Sequence, residues 1–255
     1  MRPLLEKLPQ YDYLYLGDNA RVPYGGHSRE NIQQFCEEAV EYLFSRGVTV
    51  ILFACNTASA VALRHVQEKY LQGPEERERK ILGVLIPVAE KAAEISRKGI
   101  GVVGTKATIN SQVYEAEIAK INPNIPVHGK ACPLLVPFIE EDWHKKPEAT
   151  SILKKYLRPL KSSNLDTLIL GCTHYPLMTS QFSRIMGSRV VILNSGEITA
   201  ESLKNYLDRH PEIQSKLTTQ RTRTFLTTDD PESFKDFVEK HFGMKIPMPE
   251  KVKLA

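Results

Sequence analysis

Residues 48–63 read VTVILFACNTASAVAL, and this stretch decides the fold. An unbroken β-prone run, Val50-Ile51-Leu52-Phe53, leads into Cys55 and then into Asn56-Thr57, small polar residues that suit a helix start. A strand that is apolar on both faces belongs in a parallel sheet covered by helices on each side. Residues 165–178, LDTLILGCTHYPLM, repeat the arrangement, with Leu168-Ile169-Leu170 before Cys172 and Thr173-His174 after it. The simplest reading is one strand–cysteine–helix unit used twice, once per half of the molecule. Two thiols brought face to face in this way can take a proton from one side of a carbon and return it from the other.

The same alternation extends outward along the chain. Apolar runs predict strands over 13–16, 48–54, 81–85, 100–103, 167–170 and 190–193. Amphipathic periodicity predicts helices over 30–45, 58–70, 88–97, 110–121, 148–157, 198–208 and 231–241. Strands separated by helix-length segments imply βαβ units and an α/β fold with parallel-rich sheets. In such sheets ligands bind at the carboxyl ends of strands, beside helix N-termini. Cys55, Cys172, Thr105 with Thr108, and Asp18-Asn19 all fall at that place. The four polar turns are expected to form one cleft that suits an anionic ligand, most simply a carboxylate. Residues 73–79 and 122–126 read as polar loops, and neither resembles a linker, so any division into domains rests on the repeat.

Composition narrows the classes. With 42% apolar and 25% charged residues the chain is an ordinary globular one, which excludes a mainly disordered protein. The net charge of +4 is mild and the basic residues are scattered, so neither nucleic acid nor membrane is an expected partner. No apolar stretch approaches the roughly 18 residues that span a bilayer, and MRPLLEKLPQYD at the N-terminus lacks the apolar core of a secretory signal. The four cysteines show no CxxC spacing, which points to reduced thiols and the cytoplasm.

An isolated Cys55 would read as a buried, inert thiol. At a strand end beside a helix start a thiolate is stabilised, and the second copy at Cys172 strengthens the catalytic reading. His174, two residues on, is either a surface histidine or a proton-holding partner for Cys172. A Cys-x-His pair also suits zinc or a cysteine hydrolase. The first lacks further ligands and the second leaves Cys55 unexplained, so no metal is expected at the site. Glu140 and Glu141 follow the apolar stretch LLVPFI, and one of them can orient His174 or bind a substrate ammonium. Tyr24-Gly25 form a turn close enough to a strand end for ligand contact. Cys36 and Cys132 lack the strand–cysteine–turn setting and read as structural. Lys106 alone raises pyridoxal phosphate, but no phosphate cup accompanies it, and P-loop and GxGxxG patterns are absent; no cofactor is expected.

FACNTAS around Cys55 and GCTHYPL around Cys172 resemble the two catalytic signatures of glutamate racemases, in the aspartate/glutamate racemase superfamily. GDNARVPYG (17–25), GVVGTKATINS (101–111), ACPLLVPFIEE (131–141) and SGE (195–197) match in family order. The resemblance implies cofactor-independent interconversion of L- and D-glutamate, supplying D-glutamate for peptidoglycan. It implies that Cys55 and Cys172 are the acid/base thiols, that Cys55 serves the D-isomer and Cys172 the L-isomer, and that His174 assists Cys172. Tyr24, Gly25, Asn56, Thr57, Thr173 and His174 would contact the substrate, with Thr105 and Thr108 near it. The implied fold is two pseudo-symmetric α/β domains with the site in the cleft between them. Residues 1–86 with 196–255 would form one domain and 87–195 the other.

One family feature is missing. The family pattern opens with an apolar strand and a turn reading roughly DSGxGG, whose Asp is proposed to assist the first cysteine. No DSG tripeptide occurs in this chain. The expectation is a reading frame that starts downstream of the family's usual start, sheet edges left unpaired and a Cys55 without its assisting carboxylate. Alternatives are a racemase for another acidic amino acid, or a weakly active relative that only binds a ligand or partner. The expected partner is otherwise the small-molecule substrate, and a homodimer is compatible with the sequence.

Overall fold

The computed structural model describes residues 1–73 and 78–254. Most of the expected polar loop over 73–79 therefore lies outside the described residues. The N-terminal part runs α1 (Arg2–Lys7), β1 (Tyr13–Gly17), α2 (Arg29–Ser45), β2 (Val50–Phe53), α3 (Asn56–Val61), α4 (Leu63–Tyr70) and β3 (Lys80–Gly83). The middle runs α5 (Leu85–Ile95), β4 (Ile100–Gly104), α6 (Lys106–Asn110), α7 (Val113–Ile121), β5 (Val127–Ala131), α8 (Leu135–Glu140), α9 (Pro147–Lys161), β6 (Thr167–Gly171), α10 (Thr179–Met186) and β7 (Val191–Asn194). The chain closes with α11 (Ser195–Arg209), α12 (Pro211–Gln214), β8 (Arg223–Thr227), α13 (Pro231–Phe242) and β9 (Glu250–Lys251).

Among the described residues every strand pair is parallel. One sheet has the order β5-β4-β6-β7; the others are β1-β8-β9 and the pair β2-β3. The architecture is α/β with two α/β domains, and the ends of the chain return to the same sheet through β1 and β8. All residues of the central strands β4 and β6 are buried, as their continuous apolar sequences require of strands covered on both faces. Gly104 of β4 pairs with Gly171 of β6, and this register sets Thr105 beside Cys172.

Several expected elements differ in detail. The helix expected over 58–70 breaks at Ala62 (φ −117°, ψ −18°). All six residues of α3 are buried, whereas α4 is amphipathic and shows an outer face. The helix expected over 110–121 is interrupted where the Ser111 hydroxyl donates back to the Thr108 carbonyl at 2.6 Å and Gln112 turns left-handed (φ 53°). The strand expected over 81–85 ends at Gly83, because Leu85 already begins α5. Strands β5, β8 and β9 and helices α1, α8, α10 and α12 lie outside the expected spans, as does α6 but for its last residue. β5 reads VHGKA and lies on a sheet edge, where an apolar run is not needed. α8 carries Pro137 in its first turn, the one place a helix accepts proline without losing a hydrogen bond.

Two large cores hold these layers. The first joins Ile32, Val40, Ile51 and Val66 to Val88, Ile100 and Ile169, so it draws on both ends of the α5 crossing. The second packs Leu135, Ile139, Leu153, Leu157 and Phe182 against Leu168 and Leu170.

Candidate active site

Cys55 follows β2 and is the N-cap residue of α3, with extended backbone angles. The backbone N–H groups of Ala58 and Thr57 and the Thr57 hydroxyl act on its sulfur. Cys55 is half-buried. The surrounding protein pushes its thiol pKa up, the N–H donors pull it down, and the proximity of Cys172 raises it further. That last effect puts the two sulfurs within electrostatic reach of each other. Cys36, which feels Cys55, is buried and its thiol is pushed well up by that burial, so it stays neutral. Cys132 is likewise fully buried and its thiol is pushed up to about 12. Both sit in the core, as their sequence setting implied.

Cys172 follows β6 and is buried, 6% exposed. The repeat is imperfect here: beyond Cys172 stands a 3₁₀ turn, Tyr175–Met178, and α10 begins only at Thr179. Pro176 in that turn has no N–H to give to an α-helical ladder. The Cys172 Sγ lies 3.8 Å from His174 Nδ1, and the Thr173 hydroxyl lies 3.5 Å from the same nitrogen. His174 Nε2 is hydrogen-bonded to Glu140 at the end of α8. Burial disfavours the imidazolium, but the bonds to Cys172 and Glu140 outweigh it and push the His174 pKa up to about 10. One ring nitrogen thus faces the sulfur and the other the carboxylate. Of the two glutamates the sequence offered, the structure brings Glu140 to the histidine. Glu141 is exposed and lines a shallow apolar groove with Leu134, Phe138 and Trp143.

Three threonine hydroxyls form one cluster, and one of them, Thr57, also acts on Cys55. Thr57 Oγ1 is 3.0 Å from Thr105 Oγ1 and 3.2 Å from Thr108 Oγ1, and Thr105 and Thr108 are 3.0 Å apart. Thr105 also caps α6 by accepting the Thr108 N–H at 3.2 Å. Gly25 presses against this cluster; a Cβ there would lie 2.2 Å from Thr105 Cβ, so no other residue fits. Tyr24 packs its ring on Phe35 at 5.6 Å and donates its hydroxyl to Asp18. Asp18 also accepts from Arg21 Nε at 2.7 Å and from the Thr228 hydroxyl at 2.9 Å. The Asp18-Asn19 turn is thus occupied by protein donors, while Gly25 abuts Thr105. Lys106 is exposed at the start of α6.

Asn56 is 1% exposed. Its Oδ1 accepts from the Tyr114 hydroxyl at 2.8 Å, which leaves Nδ2 as a buried donor with no partner among the described residues. An orphaned buried donor costs about 1–3 kcal/mol, a cost that a ligand carboxylate would remove. Tyr114 is the residue that sequence reading missed. It sits on α7, is fully buried and feels Cys172, and nothing near it in the chain marks it as part of a site.

The profile of the Asp/Glu/Hydantoin racemase family matches residues 3–203. The chain belongs to this racemase family. A glutamate racemase from Oceanobacillus iheyensis is 38% identical over 248 residues, spanning 94% of this chain and 88% of that protein. The crystal structure of a glutamate racemase isoform from Bacillus anthracis superposes with a TM-score of 0.89 at 34% identity, over 99% of this chain and 92% of that one. A glutamate racemase from Francisella tularensis in complex with D-glutamate gives a TM-score of 0.88 at 31% identity, over 99% and 91% of the two chains. Among the described residues of this racemase-family chain, no helix is long and apolar enough to cross a membrane.

Proposed function

We propose that the chain is a cofactor-independent glutamate racemase acting in the cytoplasm, with Cys55 and Cys172 as its two acid/base thiols, and that it supplies D-glutamate for peptidoglycan. The observation that carries the reading is the pair of thiols on the ends of β2 and β6, each with its own proton-handling surroundings: N–H donors and the Thr57 hydroxyl at Cys55, and His174 at Cys172. We further propose residues 1–86 with 196–255 as one domain and 87–195 as the other, the first crossing falling at the start of α5. The site then lies where they meet.

In one direction a Cys55 thiolate takes the α-proton of D-glutamate while the Cys172 thiol gives its proton to the opposite face. In the other direction the roles exchange. One C–H bond breaks and one forms, and a turnover of D-glutamate leaves Cys55 protonated and Cys172 as the thiolate. The thiolate form of Cys55 draws on the Ala58 and Thr57 N–H groups. That of Cys172 draws on the His174 imidazolium, held by Glu140. The substrate carboxylates are proposed to meet Asn56 Nδ2, the Thr57, Thr105 and Thr108 hydroxyls and Thr173, with Tyr24 and Gly25 forming the wall. A closed, dry cleft makes these fixed dipoles effective against the developing carbanion.

Circular dichroism of L- and D-glutamate incubated separately with the purified chain tests the reading. Both signals should decay to zero without any added cofactor. In deuterium oxide the product should gain deuterium at the α-carbon, and Cys55→Ser and Cys172→Ser should each abolish racemisation. Turnover of aspartate but not glutamate, or full racemisation surviving in either variant, would overturn it.

A further inference from the structure

Away from the thiols, three side chains of metal-ligating type converge without a role in the chemistry above. Asp142 and His144 lie on the connection between α8 and α9, and His241 lies near the end of α13. One ligand atom from each lies within 4.8 Å of the others. His144 is 2% exposed, yet its Nδ1 has no hydrogen-bond partner among the described residues. Asp142 Oδ1 is 3.6 Å away, too far to satisfy it.

We propose that Asp142, His144 and His241 form a binding site for a divalent transition-metal ion of the zinc, nickel or cobalt class. Two imidazoles and one carboxylate are a donor set these ions accept, leaving further positions for water. Bonds of about 2.1 Å in tetrahedral geometry put ligand atoms about 3.4 Å apart, so the observed spacing needs only a small contraction. The site is built in two further respects. Gln181 Nε2 donates to the His144 carbonyl at 3.1 Å and fixes that backbone. The Phe237 ring packs on His241 at 4.5 Å. One group competes: Lys240 Nζ pairs with Asp142 Oδ2 at 2.8 Å, and a bound cation would displace it. Occupancy would clamp α13 to the segment following α8, the helix that ends in Glu140.

The test is equilibrium dialysis of the chelator-treated full chain with Ni²⁺, and titration with Co²⁺ followed by visible absorption. The expected result is one ion per chain without a thiolate-to-cobalt charge-transfer band, and a Kd raised at least tenfold in both His241→Ala and Asp142→Asn. Lys240→Ala should lower the Kd several-fold, an effect that a purely structural role for these residues would not produce. Asp142 and Lys240 are surface residues, so those variants report even if His241→Ala does not fold. No bound ion in the wild type, an unchanged Kd in Asp142→Asn, or a charge-transfer band that disappears in Cys172→Ser would overturn the proposal.

Discussion

His174 holds together one side of the site, because both of its nitrogens are engaged, and against burial the bonds to Cys172 and Glu140 raise its pKa. Glu140→Gln keeps the shape and removes the negative charge. A hydrogen bond between charged groups is worth about 1.5–3 kcal/mol, so kcat/KM should fall about 10- to 100-fold. The fall should be the same for both isomers, since the enantiomers have equal free energy in water; initial rates from each side check this. The same contact makes stability pH-dependent. The folded pKa of His174, about 10, lies above its ordinary value of 6.5. Its contribution is therefore complete below about pH 6.5 and is lost as pH rises through about 10. Urea midpoints should decline across that window, and His174→Ala should flatten the decline. Asn56→Ala removes the orphaned donor that Tyr114 orients. The substrate KM should rise about tenfold or more, while Tyr114→Phe, which only frees the amide, should show a smaller rise.

At the scale of elements, the decisive contact is the approach of the Tyr24–Gly26 turn to α6. Gly25→Ala would drive a methyl group into Thr105. Overpacking of this kind costs about 1–3 kcal/mol, and here it would also splay the threonine cluster. The expected outcome is a lower thermal midpoint together with a higher KM, read by a melt and by steady-state rates on the same variant. The strands that carry the site were legible in the sequence because β2, β4 and β6 are built mainly of apolar residues, and in β4 and β6 every residue is buried. The cysteines, Asn56, Thr57, Thr105 and His174 were legible because they abut those strands. Edge strand β5, with Gly129 and Lys130, carries no such signal. The breaks at Ala62 and Gln112 were hidden because both flanks are helical, and at Gln112 a single side-chain bond from Ser111 accompanies the interruption. Tyr114 and the convergence of Asp142 and His144 on His241 depend on tertiary packing, which local sequence does not encode.

For the whole molecule, the question is whether the two proposed domains unfold separately. Their first core argues against it, since Ile32 and Val66 on one side share a cluster with Ile100 and Ile169 on the other. Trp143, the single tryptophan, stacks near Phe138 at 6.3 Å and so reports on the residue 87–195 part alone. Far-UV circular dichroism reports on both parts. If the core couples them, the fluorescence and dichroism transitions coincide. Ile32→Ala sharpens the test, because Ile32 is fully buried on α2, far from the tryptophan in the chain. The cavity should cost about 2–5 kcal/mol, which for a chain of this size lowers the melting midpoint by about 5–15 °C. A shared core requires the Trp143 transition to move by the full amount. A tryptophan signal that stays in place while the dichroism splits into two steps would show that each domain holds itself together and that the cleft between them opens without cost to either core.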